Sequence, residues 1–84
     1  MSSMMADIVG LTGSALFIAA FAYANLAKRF DKLWFNLANL VGAVLLLASL
    51  WVNFNLAAFV LEVAWAGIAT LGIVAALRAR RRVA

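Results

Sequence analysis

The stretch NLAAFVLEVAW (residues 55–65) carries one carboxylate, Glu62, in an apolar run with no lysine, arginine or histidine to pair with it. Trp65 follows one helical turn later. A charge so placed is either held by neighbouring polar groups or held ready for use. Among the other polar side chains that interrupt apolar runs, Ser14, Asn36, Asn39 and Ser49 are the candidates to meet it or line a pathway. Their chemistry is bounded by what is missing. With Cys 0 and His 0, the chain has no disulfide, no thiolate or imidazole metal ligand and no histidine proton shuttle. A lone carboxylate lacks the second acid of paired acid–base work. Ser14 and Ser49 have no histidine to activate them. No Gly-rich loop follows a strand, so there is no phosphate cradle. The residues argue against an enzyme and call for no cofactor and no metal. What remains is hydrogen bonding, proton holding and lining.

Something must position these groups. The chain has 84 residues, 69% of them hydrophobic and 12% charged, with a mean hydropathy of +1.10. Soluble domains are about 45–50% apolar and roughly 25% charged. A soluble fold this small leaves too much surface exposed to hide the surplus; lipid accepts it. Three apolar runs stand out, about 8–27, 33–54 and 56–77, each about 20 residues and so long enough as a helix to cross roughly 30 Å of hydrocarbon. The sequence predicts an all-α membrane protein, one domain over residues 1–84, its three transmembrane helices in an antiparallel bundle joined by short links. The opening MSSMMAD has no basic leading region, so the first run is expected to stay as a span rather than act as a signal peptide. Asn55 is expected to cap the third helix.

The basic residues fall in two clusters: Lys28, Arg29 and Lys32, then Arg78, Arg80, Arg81 and Arg82. Three crossings put both on one side, and the side bearing Asn53 and Asn55 has neither lysine nor arginine. The positive-inside rule then predicts N-out, C-in, in a bacterial cytoplasmic (inner) membrane, with Phe30 and Trp34 at the inner interface and Trp51 and Phe54 near the outer one. Both clusters abut apolar runs, so they read as topology signals and headgroup contacts, not as a nucleic-acid surface.

Unrolled at about 100° per residue, the second run turns Asn36, Asn39, Gly42, Ala43, Ser49 and Asn53 to one side. Leu37, Val41, Val44, Leu45, Ala48 and Val52 fall on the lipid side. Small-residue stripes run along the first helix (Ala6, Gly10, Gly13, Phe17, Ala20, Ala24) and the third (Ala58, Glu62, Ala66, Ala69, Ala76). Helices in membranes approach through such stripes, and Gly10, Gly13, Gly42 and Ala66 read first as packing surface. Ser14, Ser49 and Glu62 lie within about two turns of the outer ends and are expected to share a layer. Asn39, Tyr23 and Thr70 are expected to form a second, inner layer. Glu62 is expected to carry a proton and to donate a hydrogen bond to Ser49, Ser14 or an amide, because no cation is at hand.

The residues Gly10-x-x-Gly13-Ser14, Tyr23, Asn39-x-x-Gly42-Ala43, Ser49-Leu50, Asn55, Ala58-Phe59, Glu62-x-x-Trp65 and Gly72-Ile73 resemble an uncharacterised family of short, three-span bacterial inner-membrane proteins with the pattern N-x-x-G-A … E/Q-x-x-W. The resemblance covers most of the chain and implies membrane location. In architecture alone the layout is also similar to half-size sugar transporters that work as dimers, whose Pro-Gln signature this proline-free chain lacks.

Two functions follow as expectations, with a weaker third, a lipid-interacting protein whose Arg78–Arg82 cluster holds anionic headgroups. One is a self-associating transporter or channel, its pathway lined by Asn36, Asn39, Ser49, Glu62 and Trp65, with Ser14 beside them; three helices enclose too little room for a solute, so two or more copies are required. The other is an accessory or assembly subunit of a larger membrane complex. The expected partners are membrane lipids and either the chain itself, as a homo-oligomer, or that complex.

Overall fold

A computed structural model describes residues 1–83, with side chains through Arg81. Among these residues the chain forms three α-helices and no strand: α1 (Ser3–Leu26), α2 (Lys32–Leu50) and α3 (Leu56–Val83). All three are long and apolar enough to cross a membrane.

Each start has a local cause. Ser2 has extended backbone and its hydroxyl accepts from the Met5 N–H at 3.1 Å. Asp31 caps α2, its Oδ1 accepting from the Leu33 N–H at 2.9 Å. Asn55 caps α3, accepting from the Ala58 N–H at 3.0 Å. Such caps satisfy backbone donors that have no partner within the helix.

The ends differ from the apolar runs. α2 stops at Leu50, before the expected Phe54. The N–H groups of Val52 and Asn53 both turn back to the Ser49 carbonyl, at 3.2 and 3.1 Å, and tighten the chain into the turn before Asn55. α3 instead runs on through the arginines to Val83. Arginine favours helix, no glycine or proline intervenes, and cations suit a helix C-terminus. At 28 residues α3 is about 42 Å long, close to the 46 Å extent of the whole molecule. Its arginine turns therefore overhang a hydrocarbon layer of roughly 30 Å.

α2 is the centre. α1 and α3 each pack on α2, and their backbones do not approach each other within 8 Å. The contacts run through small residues. A Cβ built on Gly13 would lie 2.8 Å from the Gly42 carbonyl oxygen, and one on Gly42 the same distance from the Phe17 ring. Gly72 of α3 gives way in the same manner to the Asn36 amide. Among the described residues the buried apolar side chains are Ala6, Ala20, Ala43 and Ala69, and no large side chain is fully buried. The large apolar residues point outward, Trp51 at 89% exposure. This inverts a soluble protein's distribution and fits a lipid surround.

One face assignment changes. Leu37 and Leu45, placed on the lipid side of α2, are half-buried, and Leu45 lies against Gly13. A helix with neighbours on two sides buries a wider arc than a single stripe. Asn53 lies exposed beyond the end of α2, where its amide donates to Asp7 Oδ1 at 3.3 Å.

Candidate functional site

Asn39 and Trp65 form the polar junction between α2 and α3. Asn39 is buried, its Nδ2 donating to the Phe35 carbonyl one turn back on its own helix at 2.9 Å. The Trp65 indole Nε1–H donates to Asn39 Oδ1 at 3.0 Å. This amide retains one N–H and one acceptor lone pair. The Trp65 indole also reaches α1, with its ring centroid 5.8 Å from that of Phe17, tilted by 52°. Phe17 in turn rests on Gly42. One aromatic pair thus bridges the gap that the α1 and α3 backbones leave open.

Beside this bridge lies a groove of about 280 Å³ lined by Phe17, Ile18, Phe21, Phe35, Asn39 and Trp65. Five lining residues are apolar or aromatic and one is an amide, the general composition of a site that takes a mostly apolar guest and orients it by one polar contact. Of these, only Asn39 and Trp65 stand out in the sequence as candidate pathway residues. Phe35 carried a signal, being one turn before Asn39 and so on the same face. Ile18 and Phe21 carried none, since exposed apolar residues are what any span presents to lipid.

Glu62 sits one turn from Trp65 along α3 and is 7% exposed. Its Oε2 is buried without a hydrogen-bond partner among the described residues. The expected bond to Ser49, Ser14 or an amide is not made. The Ser14 hydroxyl donates to the Gly10 carbonyl of its own helix at 2.9 Å, the back-bonding typical of serine within helices. Ser49 faces α1, its Oγ 2.8 Å from where a Gly10 Cβ would stand. The amides on α2 bond elsewhere: Asn39 to Trp65 and the Phe35 carbonyl, and Asn36 Nδ2 to the Lys32 carbonyl at 2.8 Å.

The inner layer also assembles differently. Thr70 is exposed and bonds back to the Ala66 carbonyl at 2.8 Å. Tyr23 Oη accepts from the Asp31 N–H at 2.7 Å and donates to the Arg29 carbonyl at 3.4 Å, tying the end of α1 to the first connection. Neither meets Asn39. Among the packing residues, Gly10, Gly13 and Gly42 are buried and Ala66 is half-buried.

Lys28, Arg29, Lys32, Arg78, Arg80 and Arg81 are all exposed. Arg80 Nη2 donates to Asp31 Oδ2 at 2.7 Å, which brings the first connection and the C-terminal turns of α3 to the same end of the bundle. The Arg82 side chain lies outside the described residues. Asp31 therefore has four partners: the Leu33 N–H, Arg80, through its own N–H Tyr23, and through its carbonyl the Phe35 N–H. An acid directly before an apolar run is the sequence signal for the first of these.

With the geometry in place, comparison with known proteins adds one fact. A model of an uncharacterised family of short proteins matches residues 6–81. The chain belongs to this family. No curated protein and no solved structure matches it. The matched region takes in all three helices, including the Asn39–Trp65 junction, Glu62 and the described arginines of α3.

Proposed function

We propose that this is a non-enzymatic, three-pass protein of the bacterial cytoplasmic membrane, oriented N-out and C-in, that associates with copies of itself. In this reading two copies place their α1–α3 grooves face to face and form a pathway for a small solute or ion. The observation that carries the reading is the groove with Asn39 at its wall. A lone chain leaves this amide with spare hydrogen-bonding capacity beside an open aromatic wall, and a second copy both closes the groove and doubles its polar lining. Glu62, one turn along α3 and not itself in the groove lining, holds a buried carboxyl oxygen without a partner among the described residues.

The chain's lack of cysteine makes the test direct. An engineered Ile18→Cys at the groove lip is expected to form a disulfide-linked homodimer in membranes. Liposomes holding the protein are expected to show solute or ion flux that Asn39→Ala reduces. A single-copy mass in detergent, with no flux for any ion or small solute, overturns the reading.

A second reading, docking to a larger membrane complex, has its own support. Gly67 lies on the face of α3 turned away from the bundle, with open space where a side chain would stand, and its neighbour one turn back, Ala64, is also exposed. Small residues on a lipid-facing surface permit close approach of another helix. Cross-links from Ala64→Cys to a different protein, with none from Ile18→Cys, favour this alternative.

A further inference from the structure

The geometry points to a binding cleft for the phosphate headgroup of an anionic phospholipid, built between the first connection and the C-terminal turns of α3. This rests on the membrane reading above and on a separate set of residues. Arg29 and Lys32 from one segment and Arg80 from the other converge on a notch of about 320 Å³ whose floor includes Leu33, Ala76 and Ala79. Cations that only set topology need not share a cleft; these three come from two elements that a salt bridge holds together.

The charge balance favours an anion. Asp31 is the one acid of the notch, and both of its carboxylate oxygens are engaged, one by the Leu33 N–H and one by Arg80. The clamp fixes the Arg80 guanidinium across the notch and leaves its other N–H groups to donate. Among the described residues Arg80–Asp31 is the only ion pair, so Arg29 and Lys32 have no carboxylate partner. Guanidinium and ammonium groups so placed suit phosphate oxygens. The apolar floor decides between a lipid and a free phosphate. Leu33 lies in the first turn of α2 and Ala76 lines the notch from α3, so the notch leads from the charged end into the apolar span. A headgroup at the cations with its glycerol and acyl chain running inward fills both parts; a free phosphate fills only the first.

The test compares two double variants with equal change of charge, both reconstituted in nanodiscs of phosphatidylcholine doped with phosphatidylglycerol. Lipid retained by the protein is read by native mass spectrometry after release, and helical content by circular dichroism. Wild type is expected to retain phosphatidylglycerol in excess over its share of the disc. Arg29→Gln/Lys32→Gln is expected to lose that preference by roughly tenfold or more. Arg78→Gln/Arg81→Gln, whose side chains do not line the notch but a neighbouring pocket with Val74, Leu77 and Arg80, is expected to keep it. Absence of preference in wild type, or an equal fall in both doubles at unchanged helicity, overturns the cleft in favour of diffuse attraction. Displacement of the lipid by soluble glycerol phosphate overturns the lipid as occupant. Failure of the protein to enter nanodiscs at all sinks the membrane reading, and this inference with it, and is visible before any lipid is counted.

Discussion

At the scale of single residues the glycines divide into two kinds, and substitution separates them. A methyl on Gly13 meets the Gly42 backbone oxygen, which cannot rotate away, so Gly13→Ala is expected to cost about 1–3 kcal/mol as overpacking. Gly67→Ala puts its methyl into open space and is expected to cost nothing, since alanine is the better helix former. Unfolding by SDS titration in mixed micelles checks the pair; equal losses would contradict the packing described. Trp65→Phe removes the donor to Asn39 but keeps a ring beside Phe17, so about 0.6 kcal/mol, and at most 1–2, should be lost. Glu62→Leu removes an oxygen that has no partner, so it is expected to leave stability equal or higher while lowering flux. The stripe of Ala6, Gly10, Gly13 and Ala20 was readable from the sequence because small residues recur there at helical spacing. That the buried Glu62 Oε2 would lack a partner was not readable. Hydroxyls at a similar depth suggest a shared layer, but depth does not reveal that Ser14 bonds to the Gly10 carbonyl of its own helix and that Ser49 faces α1.

The elements raise a different question, what sets their limits. Asp31 both caps α2 and pairs with Arg80, and the two roles can be separated. Arg80→Gln removes only the ion pair, whose side chains are 55% and 35% exposed, and should cost under about 1 kcal/mol and less in high salt. Asp31→Ala removes the cap as well and should cost about 1 kcal/mol more. Thermal unfolding followed by circular dichroism distinguishes them; equal losses at low and high salt would remove the capping role. The starts of α2 and α3 were legible because apolar runs open there, after Asn55 in the case of α3; α1 begins earlier than its apolar run, at Ser3 behind the Ser2 cap, which hydropathy does not register. Helix ends were less so. Hydropathy ends α2 late because Trp51 and Val52 are apolar, although the backbone there already turns back on Ser49. It ends α3 early because arginines are charged, although they are good helix formers. The two-sided burial of α2 was also hidden, since unrolling a helix assigns it one buried face, and a central helix has two neighbours.

For the whole molecule, composition was enough. A chain with so much apolar surface and so few charges builds its contacts from alanine and glycine and turns its large side chains outward. The grouping of both basic clusters at one end, with Asp7 and Asn53 at the other, follows from an odd number of crossings. What composition did not reveal is the opening between α1 and α3, because that depends on which helix lies in the middle. The central claim is the threading itself, and labelling of single engineered cysteines in intact cells tests it most directly. A membrane-impermeant maleimide is predicted to label Ser2→Cys and Asn55→Cys from outside. Lys28→Cys and Arg81→Cys should react only after the membrane is opened, and Ile68→Cys in neither case. Labelling of Asn55→Cys and Lys28→Cys from the same side would contradict three crossings.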